Sequence, residues 1–156
     1  VAPGADIHPP RLYGTEDDIR AVAAGLIACN LPRAAWTHEA HLAAVSVLLL
    51  THREIALEQE LPGIISRYNA SVGGVNDDHQ GYHETLTQYW IAAARAFHAR
   101  TAGDPLLVRV NRFIAAPEGR REAPLLHYSR ALLFSVEARR RLVEPDVMRF
   151  AWDPET

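Results

Sequence analysis

"THEAHLAAVSVLLLTH", residues 37–52, is the stretch that decides the fold. Leu42, Ala43, Ala44, Val45, Val47, Leu48, Leu49 and Leu50 leave almost no polar face at the helical period. A helix that is apolar nearly all round must be enclosed by other elements. The spacing therefore predicts a central bundle helix from Thr37 to about His52, with Thr37 as its N-cap and Trp36 stapling its start.

Working outward, the N-terminal side begins with "VAPGADIHPPRLYG", whose prolines and glycines predict an irregular arm over 1–14. Thr15 then opens "TEDDIRAVAAGLIACN", a cap followed by acidic residues that suit the positive end of a helix dipole. Ile19, Val22, Ala23 and Leu26 repeat at helical spacing behind it. On the C-terminal side, "REIALEQELPGIISRYNASVGG" reads as a further helical stretch, with Pro62 near a restart and a Gly73-Gly74 stop. The longest clear helix is expected from about His79 to Arg100, with the stripe Leu86, Trp90, Ala94 and Phe97. Asp104 as cap with Pro105 at the first helical position predicts the next start. "LLHYSRALLF" reads as one more helix, and Ser135 caps a short one before an extended tail from Val143. Nothing alternates with period two between turn signals, so no sheet is expected. The expectation is all-α: one domain over 1–156, a helical bundle of five to seven helices, some short, with irregular terminal arms (1–14 and 143–156).

Composition excludes several chemistries. All sixteen basic residues are arginine, so a Schiff-base lysine and a phosphate-binding-loop lysine are ruled out. Cys29 is the only cysteine, which rules out an internal disulfide and a cysteine-built zinc or iron–sulfur site within the chain. It leads to the expectation of a reducing, cytoplasmic setting. A net charge of −3 gives no reason to expect nucleic acid or an anionic membrane as partner. No apolar run approaches a membrane span, and the first residues lack the basic start and apolar middle of a signal peptide. Arg139-Arg140-Arg141 reads as a solvated helix end facing the dipole.

Eight histidines are the remaining excess. His38 and His41 are three apart, so they share a helix face that continues through Leu42, Val45 and Leu49 into the bundle. His83 heads the stripe of the later helix, His79 is expected one turn before it on the same face, and Glu84 borders that face. "HEAH" is not the zinc-protease motif, which needs two residues between Glu and the second His. Neutral imidazole is the commonest protein ligand for divalent metals, and helix-borne ligands in a bundle core can build a site with open positions. The same histidines can instead satisfy backbone carbonyls or line a polar pocket. Thr85 and Thr87 are candidates for orienting ligands, and Tyr82 and Tyr128 for lining a pocket or simply being buried. His127 is a weaker candidate; His8, His52 and His98 read as incidental, and Asn69 as a turn residue.

Taken together, "WTHEAHL" (36–42), "RYNASVGGVN" (67–76) and "GYHETLT" (81–87) resemble the signature blocks of a family of small, uncharacterised all-α bacterial proteins. The likeness covers roughly positions 30 to 150 and includes "SVEARRRLVEPDVM". It implies that His38, His41, His83 and Glu84 belong together, and it carries no activity. A looser analogy is with DinB-like bundles, which hold a divalent metal with three histidines; there the later histidines are paired, here the earlier ones.

The leading expectation is a metal-dependent enzyme acting on a small molecule in the core. His38, His41 and His83 would hold a divalent transition metal (Zn, Fe, Mn, Ni or Cu), and Glu84 would be the catalytic base or a fourth ligand. Hydrolysis, lyase or isomerase chemistry and redox chemistry all stay open, as does homo-oligomerisation. Two alternatives stand beside it. One is a metal-free enzyme pairing His38 or His41 with Glu84 as an acid–base dyad. The other is a non-catalytic helical module whose histidines only satisfy buried polar groups. Everything turns on whether the two helix starts meet.

Overall fold

The computed structural model describes residues 9–153, and it is all-α, with no strand among the described residues. His8 and the ends of both terminal arms lie outside that range. Seven α-helices follow in order: α1 Glu16–Ala28, α2 His38–Thr51, α3 Leu57–Ser71, α4 Glu84–Ala99, α5 Leu106–Ala115, α6 Arg130–Leu133 and α7 Val136–Arg140. Single 3-10 turns cover Arg33–Ala35, Pro117–Gly119 and Ala123–Leu126.

The central position of α2 follows from its composition. Residues Leu42 to Leu48 are buried without interruption, because α1, α4 and α5 pack around it. Leu42 and Leu48 are fully enclosed, so truncating either to Ala costs on the order of 2–5 kcal/mol. The one polar residue in that run, Ser46, is satisfied by His98 Nε2 of α4 at 2.8 Å. Thr15 and Thr37 cap α1 and α2 as their sequences predict, accepting from Asp18 N–H at 3.1 Å and Ala40 N–H at 3.2 Å.

Three boundaries differ from the sequence expectation, each for a local reason. Pro62 does not restart α3 but sits inside one continuous helix. Proline lacks the N–H that would bond the carbonyl of Glu58, and Gln88 Nε2 of α4 supplies that donor at 2.9 Å. The fourth helix begins at Glu84 rather than His79. The backbone before it turns through Gly81 at φ +78°, where a Cβ would lie 2.2 Å from the carbonyl oxygen of Val75. Asn76 Oδ1 accepts from Tyr82 N–H at 3.0 Å, and Arg139 donates to the Gly81 carbonyl at 2.9 Å, so residues 76–83 are held as a loop. Asp104 does not cap α5; Pro105 stands at the cap without a side-chain bond, and Asp104 pairs with Arg112 at 2.5 Å.

"LLHYSRALLF" is not one helix either. Ser129 caps a new start by accepting from Leu132 N–H, and Asp146 fixes Ser129 through both its N–H and its hydroxyl. The described part of the tail holds no helix or strand and is tied back: Tyr128 donates to the Val143 carbonyl at 2.9 Å, and Thr85 accepts from Val143 N–H at 3.2 Å.

Candidate functional site

The starts of α2 and α4 meet. Between them and the flank of α3 lies a cavity of about 440 Å³, to which all three sequence blocks contribute. "WTHEAHL" gives Trp36, Thr37, His38 and His41; "RYNASVGGVN" gives Asn69; "GYHETLT" gives Gly81, Tyr82, His83, Leu86 and Thr87. Val45, Leu61, Ile65 and Trp90 make the rest of its wall mostly apolar, and Arg121 stands exposed at its rim.

The first turn of α2 is built so that its two rings are fixed and yet open. Thr37 caps the helix, so neither histidine is needed for that purpose. Trp36 precedes the cap and His41 is the fourth helical residue, the two positions of a hydrophobic staple. Their rings accordingly stack, with centroids 3.7 Å apart. His41 Nδ1 lies 2.7 Å from the Thr37 carbonyl. A carbonyl only accepts, so Nδ1 carries the proton and Nε2 is a lone pair. His38 is the opposite tautomer: Nε2–H donates to the Gly119 carbonyl at 2.7 Å, which leaves Nδ1 as the lone pair. That acceptor arrives because residue 119 is glycine, where a Cβ would stand 1.9 Å from the Phe113 carbonyl oxygen. Among the described residues neither free nitrogen has a hydrogen-bond partner, and neither is a sealed, unsatisfied atom, so both are open to an incoming molecule. Both residues are half-buried and line the cavity. Burial lowers the pKa of His41 to about 4, with the nearby His38 and Arg121 acting in the same direction. His41 is therefore neutral at pH 7.

His83 differs. It is the N-cap of α4, its Nδ1 accepting from Leu86 N–H at 3.2 Å while Nε2–H donates to the Leu133 carbonyl at 2.7 Å. Both nitrogens are committed to the backbone, so the expected third ligand offers the cavity no lone pair. Burial also lowers its pKa, against the opposing effect of the Leu133 bond. The expected role of Glu84 meets a similar obstacle. Its carboxylate accepts from the hydroxyl of Tyr82 and from Gln88 Nε2 and pairs with no histidine by hydrogen bond; it is not among the cavity residues. No group of three or more His, Cys, Asp or Glu side chains among the described residues is arranged to hold a metal.

The other candidates are distributed as follows. His79 is exposed in the loop before α4, its N–H bonded to Asp77 Oδ1, not on the helix face expected for it. His127 is buried with Nδ1–H donating to the Met148 carbonyl at 3.0 Å, and Tyr128 anchors the tail; neither lines the cavity. His98, read from sequence as incidental, is only 2% exposed, and burial takes its pKa to about 4. Thr85 holds the tail, whereas Thr87 and Tyr82 do line the cavity. Asn69, read as a turn residue, lines it too, with its amide donating to Asn76 Oδ1 at 2.8 Å. Trp90 lies on the helical stripe that its spacing with Leu86 predicts, whereas Arg121 had no local signal, since only tertiary packing brings it to the site.

The chain matches no protein-family model, and no curated protein or solved structure is detectably similar to it.

Proposed function

We propose that the chain is an enzyme acting on a small organic molecule held in this cavity, with His38 and His41 as the reacting groups. One observation carries the reading: two imidazoles, each oriented by a bond from one ring nitrogen to a backbone carbonyl, keep their other nitrogens open beside a cavity of about 440 Å³. That volume suits a small metabolite. Chemically, a fixed imidazole lone pair in an apolar pocket takes a proton from a bound molecule or from water, and a neighbouring imidazole returns it. The backbone bonds hold each ring in orientation without competing for the open nitrogen. Glu84 supports the wall by holding Tyr82, rather than acting as base.

Incubation with a cell metabolite extract, followed by mass spectrometry, tests the proposal. At least one metabolite is consumed by the wild-type chain and consumed roughly 10²–10⁴-fold more slowly by the His38→Asn/His41→Gln double variant. Equal turnover of every species by the two proteins refutes it.

A metal-dependent version of the same enzyme is the second reading, and a specific feature favours it. In metal-bound histidines the non-ligating N–H donates to a carbonyl or carboxylate, and both His38 and His41 have that arrangement. The ligand set would be those two nitrogens, completed by water or substrate. Titration with Co²⁺ separates the readings: a visible absorption band that disappears in His41→Gln supports metal, and no band at millimolar Co²⁺ leaves imidazole chemistry alone.

A further inference from the structure

Taking the cavity to be a small-molecule site, as proposed above, we infer that its ligand is an anion: a flat, largely apolar body bearing a carboxylate that Arg121 receives. Among the described residues, Arg121 is the only side chain with a permanent formal charge in the cavity lining. No aspartate or glutamate faces it there. Several arginines elsewhere are matched: Arg95, Arg100, Arg112 and Arg140 each hold a carboxylate oxygen within 3.3 Å, and Arg109 and Arg139 donate to backbone carbonyls. Arg121 has no hydrogen bond or ion pair to a described residue. It therefore stands ready for an anion that enters with the ligand.

The rest of the lining describes that ligand's body. Trp36 stacks on His41, and Trp90 meets the ring of His38 edge-on at 5.2 Å, so aromatic faces flank both imidazoles. Leu61, Ile65 and Val45 offer no polar partner. A planar apolar group fits such walls, and one guanidinium fork matches the two oxygens of a carboxylate. A phosphate dianion would call for more donors than one arginine supplies. The first-turn amides of α4 do not add one at Leu86, whose N–H is already taken by His83.

The test uses matched pairs of probes: benzoate, indole-3-acetate and naphthalene-2-carboxylate, each beside its primary amide. Affinities are measured by calorimetry and by quenching of tryptophan emission on the wild-type chain, Arg121→Gln and Arg121→Lys. Arg121 is exposed, so neither substitution disturbs the core. At least one acid is expected to bind about tenfold more tightly than its amide to the wild-type chain at low salt. Arg121→Gln brings that acid down to the affinity of its amide, and Arg121→Lys retains part of the difference. Equal binding of acids and amides by the wild-type chain overturns the anion while leaving the small-molecule site standing. So does an acid preference that survives Arg121→Gln. If neither acids nor amides bind at about 1 mM, a free energy of roughly −4 kcal/mol, the site itself falls and the inference with it.

Discussion

The starts of α2 and α4 both carry a histidine, and they use it in opposite ways. At α2 a threonine stands before the helix and does the capping, so His38 and His41 each need only one backbone bond and keep a nitrogen open. At α4 the same position is filled by His83, which serves as the cap itself and so commits both nitrogens to the backbone. One position, the N-cap, filled by Thr37 at α2 and by His83 at α4, separates an imidazole that can meet a ligand from one that is a structural strut. Counting histidines on a helix face therefore overestimates a site. The lone pairs left after the backbone has been served are the quantity that matters.

The largest expected effect comes from acid, which acts on neutral imidazoles at both kinds of position and in the core. His98 is 2% exposed and its pKa is lowered to about 4, by burial first and then by Arg109. The unfolded chain thus takes up the proton near pH 6.5 and the folded chain only near 4, so stability is full above about 6.5 and falls as pH drops toward 4. His98 alone contributes on the order of 3 kcal/mol to that loss. His41 acts in the same direction over the same window, by less because its ring is half-buried. Urea unfolding between about pH 8 and 4 checks this, and a flat profile below 6.5 contradicts it.

Substitution sharpens the comparison itself. His83→Ala removes a cap and orphans the buried Leu133 carbonyl, at a cost of about 2–4 kcal/mol, and His83→Asn restores roughly 1 kcal/mol by capping again. His38→Ala and His41→Ala cost only about 1 kcal/mol each while removing ligand binding. A reversal of that order in chemical denaturation breaks the distinction between strut and site.

Thr37→Ala comes next, at about 1 kcal/mol, the usual value of an N-cap. Thermal melts show it directly. The smallest effect concerns the cavity's flank, where Gln88 serves the carbonyl left bare by Pro62. Gln88→Ala costs about 1 kcal/mol in the wild-type chain and less in a Pro62→Ala background, where the helix supplies its own donor. A double-mutant cycle with no coupling between the two positions argues against that account.

Much of this was legible from residues alone. The all-round apolar character of 42–50 identified the central helix, and Thr15, Thr37 and Ser135 are caps because their hydroxyls find the third N–H ahead. The shared face of His38 and His41 also followed from helix spacing, whereas their meeting with His83 in one space did not. What did not follow was the fate of individual nitrogens. Gly119 and Leu133 lie 81 and 50 residues from the histidines they bind, and no local pattern announces those carbonyls. Arg121 joins the site by packing, which spacing does not encode. His83 is the instructive miss: it fills the N-cap position that Thr37 fills at α2, which an expected helix start near His79 did not allow for.

The central claim is that His38 and His41 each keep one open nitrogen and His83 keeps none. Long-range ¹H–¹⁵N correlation of the imidazole rings at pH 7 measures it directly. The account predicts Nε2–H tautomers for His38 and His83 and an Nδ1–H tautomer for His41. On adding naphthalene-2-carboxylate or Co²⁺, signals of His38 and His41 are perturbed while His83 is unmoved. A His83 ring that responds while His38 and His41 stay silent contradicts it.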